Sequence, residues 1–245
     1  MAGPDRSPIR NMTNIENILV STLTEKPLLV EIEGKYVAFP PMSLGQSLLV
    51  AQVAREFGFN SQFTAMSPIL EVVRVVEEKK PVVCRYLALR SFHAKNKLLN
   101  EREIEERAHL FENVDIEELA TLLLVLLTEE DNSAQLIKYY GIDKEQANMA
   151  KALKAKRDDN SLNFGGCSIY GQLIDRACER YGWTVEYVVW GVSYANLTLL
   201  LADQQTSIYL TEGELKKARI RKRNEEVING DDPASQERLK AILKG

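Results

Sequence analysis

The alternation of apolar and polar residues is tightest between Leu28 and Phe39, which read LLVEIEGKYVAF. Val30 and Ile32 alternate with Glu31 and Glu33, Gly34 supplies a turn, and Tyr36 to Phe39 returns. This predicts a short β-hairpin. Pro40 and Pro41 end it. A lone hairpin is marginal in water, so it must pack on helices or join a larger sheet.

Beyond the hairpin the spacing turns helical. Ser43 and Gln46 form a capping-box pair ahead of Leu48, Leu49 and Val53, and Gly58 is a stop. Ser67 followed by Pro68 reads as an N-cap with proline at the first helical position, after which Ile69, Val72, Val73 and Val76 fall on one face. Pro81 interrupts, and the apolar pattern resumes from Val82 to Leu99 with basic residues between. Asn100 with Glu103, Asp115 with Glu118, and Asp143 with Gln146 are three further pairs of the capping type. The most apolar run, Leu119 to Leu127, is too short to span a bilayer and is flanked by glutamates; it predicts a buried helix.

Residues 157–166 are polar and close in Gly165-Gly166, which reads as a linker. After it, Ile169, Leu173, Ile174 and Ala177 share one helical face up to Tyr181-Gly182. Thr184 can cap a brief helix in which Val185, Val188 and Val189 face one way, stopped by Gly191. Ser193 can cap a third, with Leu197, Leu200 and Leu201 on one side. The fold class predicted is therefore mostly α: an N-terminal β-hairpin packed on a helical bundle, then a linker and a smaller helical domain. The boundaries are 1–14 for a disordered lead-in, 15–156 for the hairpin and bundle, 157–166 for the linker, 167–215 for a small three-helix domain, and 216–245 for a basic and then polar tail.

Composition narrows the function. The chain has 245 residues, 45% hydrophobic and 27% charged, enough to bury a sizeable core. A net charge of −4 supplies no global attraction to nucleic acid or an anionic membrane. Three scattered cysteines (Cys84, Cys167, Cys178) and two histidines argue against a disulfide framework and against a zinc site, and fit a reducing cytosol. The N-terminal residues lack the apolar run of a secretory signal. No Walker loop, dinucleotide fingerprint, GxSxG or HExxH is present, so no catalytic residue, cofactor or metal ligand is assigned and an enzyme is disfavoured. Cys167 and Cys178 read as small buried side chains, and His93 and His109 as surface positions.

Two basic stretches raise nucleic-acid binding. Lys216 to Arg223 carries six basic residues in eight, and Lys79, Lys80, Arg85, Arg90, Lys95 and Lys97 form a looser set. Flanking glutamates blunt the first. The helix-turn-helix outline of residues 179–204 also lacks basic residues where a recognition helix needs them: the middle helix offers Thr184, Glu186 and Tyr187, and the third Tyr194, Asn196, Thr198 and Asp203.

That same segment carries a family resemblance. A polar helix, then RYGWT, then a short helix with EYVVW, then a leucine-rich helix resembles the C-terminal part of tail assembly chaperones of long-tailed bacteriophages. The residues that carry it are Arg180, Tyr181, Gly182, Trp183, Thr184, Glu186, Tyr187 and Trp190. The hairpin LLVEIEGKYVAF followed by PPMSLGQSLLV is similar to the N-terminal half of that group. The resemblance implies a non-enzymatic protein of the host-cell cytoplasm that coats the tape-measure protein and recruits tail-tube subunits. The residues themselves point to no membrane partner, disfavour nucleic acid and leave self-association open. Trp183, Tyr187, Trp190 and Tyr194 are then the candidate partner-binding residues, because tyrosine and tryptophan combine large contact area with a polar tip. A plainer reading makes both tryptophans core anchors. Two alternative functions stand beside this one: a nucleic-acid-binding regulator using the basic C-terminal segment, and a structural subunit of a phage-like particle.

Overall fold

A computed structural model describes residues 7–129, 132–156 and 166–220. The fold is mostly α, with one two-stranded antiparallel hairpin packed against helices. Strands β1 (Leu28–Ile32) and β2 (Lys35–Phe39) pair from Leu28 opposite Phe39 to Ile32 opposite Lys35. The two loop residues, Glu33 and Gly34, both have positive φ (49° and 74°), the backbone of the tight turn whose twist matches its strands. Ile32, Val37 and Phe39 point into the core, where the Phe39 ring lies 6.3 Å from Phe111.

The first helix, α1 (Ser7–Leu23), begins inside the stretch 1–14 expected as a disordered lead-in, of which residues 1–6 lie outside the described residues. Ile15, Ile18 and Leu19 sit at i, i+3 and i+4 and pack on a small cluster of Leu136, Ile142 and Leu199. Helix runs N-terminally from that anchor into the polar stretch.

After the hairpin come α2 (Leu44–Ala54), a 3₁₀ turn (Arg55–Phe57), α3 (Ser61–Met66) and α4 (Pro68–Ser91). Ser43 caps α2 as predicted, its hydroxyl accepting from the Gln46 N–H at 3.3 Å. The reciprocal half of the box is absent: the Gln46 side chain donates instead to the carbonyls of Leu89 and Phe92, both at 2.9 Å, and so ties α2 to the end of α4. Ser67 caps α4 with Pro68 in its first turn. Pro81 bends α4 rather than ending it, with non-helical backbone at Lys79 (φ −136°, ψ 36°). The proline lacks the N–H that would bond one turn back, and its ring crowds that turn. Beyond the bend Val83, Cys84 and Tyr86 through Arg90 are all buried, held by α6 and α7.

Then follow α5 (Lys95–Leu98), α6 (Glu101–Glu112), α7 (Ile116–Glu129), α8 (Asn132–Tyr139) and α9 (Ile142–Ala155). In α7 Leu119, Leu122, Leu123 and Leu126 are buried, as the apolar run predicts. Asp115 accepts from the Glu117 N–H at 3.0 Å. The other two capping pairs differ. Asn100 bonds the Glu103 side chain rather than a backbone amide, and α9 begins at Ile142, after the positive-φ Gly141, so Asp143 lies inside the helix.

The last elements are α10 (Ile169–Tyr181), a π turn (Tyr187–Gly191), α11 (Tyr194–Ala202) and α12 (Glu212–Ala218). The described residues form two compact units: residues up to 146 with 166–206, and 147–156 with 207–220. Of the segment 167–215 that the sequence sets apart as a small domain, residues 167–206 thus belong to the same unit as the hairpin and bundle, and residues 207–215 to the other. Ser193 bridges Ser43, and the Tyr194 N–H donates to the Met42 carbonyl at 2.7 Å. Of the expected linker only Gly166 is described, and of the expected tail only residues 216–220; the rest lie outside the described residues.

Candidate functional site

The aromatic segment is built around its two glycines, Gly182 and Gly191. Gly182 ends α10 in the left-handed conformation (φ 65°), which turns the chain back on itself. Trp183 follows, stacked on Tyr181 with ring centroids 4.7 Å apart and in edge contact with Tyr187 at 5.2 Å. The Tyr181 hydroxyl donates to the Leu200 carbonyl at 3.2 Å, so α10, the turn and α11 share this tier. Thr184 caps the next turn, accepting from the Tyr187 N–H at 3.2 Å.

That turn is π rather than α: the Val192 N–H reaches back five residues to the Tyr187 carbonyl at 3.1 Å. The predicted valine face is met only in part. Val188 is buried and Val189 half-buried, while Val185 is exposed. The Tyr187 ring lies over Gly191, where a β-carbon would overlap it. The predicted face of α10 is amended in the same way: Leu173, Ile174 and Ala177 pack inward, but Ile169 is 79% exposed.

The four predicted site residues therefore occupy three settings. Trp183 is half-buried at the centre of the tier, and Tyr187 is 45% exposed at its edge. Trp190 packs on the main core, with its ring against Gly45 of α2, and is an anchor rather than a displayed side chain. Lys95 lies 5.6 Å from the Trp190 ring centroid and pairs with Glu186 at 2.9 Å. Tyr194 is 38% exposed and belongs elsewhere, on the wall of a cavity of about 770 Å³ lined also by Met42, Leu48, Tyr86, Arg90 and Tyr170.

The segment is held from below by Glu25. Its carboxylate accepts from the Ser193 N–H at 2.8 Å and the Asn196 amide at 3.0 Å, and its own φ is 51°, an uncommon conformation for a residue with a β-carbon. Nothing in the local pattern marks Glu25 for this role. The cavity is likewise invisible in sequence. Arg90, read there as part of a loose basic set, is 2% exposed and donates to the Pro40 carbonyl at 3.2 Å. The apolar character of the stretch around it, VVCRYLALRSF, is the one available hint of burial.

The rest of that basic set is dispersed rather than gathered on one face. Lys79 donates to the Glu56 carbonyl and Lys80 to that of Val114, Arg85 pairs with Glu101 at 2.7 Å, and Lys97 approaches Glu103 at 3.9 Å. In the C-terminal basic segment Lys216 and Lys217 lie in α12, which opens with a full capping box between Thr211 and Glu214.

No described cluster of side chains has the makeup of a metal site, and no described helix is long and apolar enough to cross a membrane. Cys84 is buried, which pushes its thiol up to about 11. Cys167, expected to be buried, is exposed, and Cys178 is half-buried against the aromatic tier's core. His93 and His109 are exposed as predicted; the Glu112 carboxylate, 2.9 Å from His109, raises the imidazole's pKa. Compared with known proteins, the chain matches no family model, no curated protein and no solved structure.

Proposed function

We propose that this chain is a non-enzymatic assembly chaperone of the phage-tail type, which binds the tape-measure protein through its aromatic segment and recruits tail-tube subunits in the host cytoplasm. The observation that supports this most is the rigid presentation of Tyr187. Its ring is fixed by Trp183 on one side and Gly191 on the other, yet remains 45% exposed. A preset, half-exposed aromatic suits an amphipathic helix, because little rotamer freedom is lost when the helix docks. A tape measure is a long helical protein with apolar faces to be covered reversibly.

The test is co-expression with the tape-measure and tube proteins of the same gene cluster, followed by purification. The proposal expects a stable complex with the tape measure; the absence of any complex over a range of salt would refute it.

A further inference from the structure

The α3 corner presents a different kind of surface. From Phe57 to Leu70 there is no Asp, Glu, Lys or Arg, in a chain that is 27% charged. None of the six residues of α3 is buried. Phe63 is 55% exposed, Met66 82%, Ile69 61% and Leu70 69%. With the partly covered Phe59, this leaves about 600 Å² of apolar side chain in water, at the upper end of what a monomer normally exposes in one patch.

A helix of one and a half turns that buries nothing has no stability of its own. Here it is held by α4. The Glu71 carboxylate accepts from the Asn60 N–H at 2.6 Å, Arg74 donates to the Gly58 carbonyl at 3.2 Å, and Lys79 donates to the Glu56 carbonyl. Asn60 in turn caps α3, accepting from the Gln62 N–H at 2.9 Å. Polar clamps thus fix α3, with Phe63 and Met66, in an exposed position, where collapse onto the core would have hidden these two side chains.

We propose that this corner is a self-association surface, on which two copies of the chain pack Phe63, Met66, Ile69 and Leu70 against the same residues of each other about a twofold axis. A twofold contact is self-complementary, and the residues on its axis meet their own copies, so an ionised group there would face a like charge. A stretch without ionised side chains meets that condition, and it offers no complementary charge to a charged partner. The nearest acid, Glu71, is buried and paired with Arg74 at 2.6 Å. Pairing two such patches buries about 1,200 Å², the lower limit of specific interfaces, which predicts a reversible dimer. The proposal does not depend on the aromatic segment, which shares no residue with the α3 corner.

Sedimentation of the full chain between about 1 and 100 µM tests it. The mass should rise from 27.7 kDa towards about twice that, and added salt should not weaken the association. Met66→Glu combined with Leu70→Glu should weaken it at least about 100-fold, because it buries carboxylates without partners, and should leave helical circular dichroism unchanged. Should that pair disturb folding, Leu70→Ser carries the same expectation with a smaller effect. Wild-type chain that stays at 27.7 kDa throughout, a folded variant that dimerises as tightly as wild type, or a mass series beyond the dimer would each overturn the proposal. So would a monomeric wild type whose capture of the tape measure is lost in the variant, since the corner would then serve another partner.

Discussion

The Trp190 ring rests directly on Gly45: a β-carbon at residue 45 would come within 2.7 Å of three ring atoms. The contact joins two segments far apart in sequence, and it explains why a glycine is tolerated inside α2, where it costs about 1 kcal/mol relative to alanine. Replacing Gly45 with valine should push the ring off its seat and destabilise the fold by about 1–3 kcal/mol. Urea unfolding followed by tryptophan fluorescence reads both effects, as a lower midpoint and a red-shifted native spectrum. An unshifted spectrum would mean that the ring does not depend on this seat.

Gly191 serves Tyr187 in the same manner but at the surface. Gly191→Ala should force the Tyr187 ring away from its place against Trp183. Because the displaced ring is half in solvent, the thermal midpoint should fall only slightly while tape-measure capture falls at least about tenfold. Equal losses of stability and capture would show that the glycine serves folding alone.

Gln46 is fully buried and its amide satisfies the carbonyls of Leu89 and Phe92, where α4 ends. Gln46→Ala leaves those carbonyls without this donor, at a cost of about 1–3 kcal/mol in denaturant unfolding. Gln46→Glu should be worse, since a carboxylate offers them no proton. A Glu variant as stable as wild type would contradict the assigned bonds.

Glu71 gives a pH signature. The Arg74 guanidinium, and then the Asn60 N–H, hold its carboxyl at about 2, against an ordinary value of 4.5. A carboxyl with a depressed folded pKa contributes stability that is fully present above its unfolded value and is lost as pH falls through the folded one. Wild type should therefore exceed Glu71→Gln in stability at pH 6, and the gap should close between about pH 4.5 and pH 2. A gap that stays constant across that range would show that the variant suffers from packing rather than from lost charge.

The sequence carried the fold where physics is local. The hairpin follows from alternation and Gly34, the caps Ser43, Ser67 and Ser193 from a hydroxyl ahead of an apolar run, and the burial of α7 from its leucines. Long-range choices were not legible. Gln46 caps nothing with its side chain because two carbonyls of α4 are within reach, and Trp190 is an anchor because Gly45 lies opposite it. The π turn hides behind a valine spacing that an α-helix would also produce. At the candidate site the residues were legible but their grouping was not: Trp183 and Tyr187 form one unit, whereas Tyr194 lines a cavity whose other walls come from remote parts of the chain.

That separation allows the central claim to be tested by single substitutions. Capture of the co-expressed tape-measure protein should be measured for wild type, Tyr187→Ala and Tyr194→Ala, with circular dichroism as the control for folding. If the Trp183–Tyr187 tier is the binding surface, Tyr187→Ala lowers capture at least about tenfold and Tyr194→Ala much less. Full capture by a folded Tyr187→Ala variant would contradict the account.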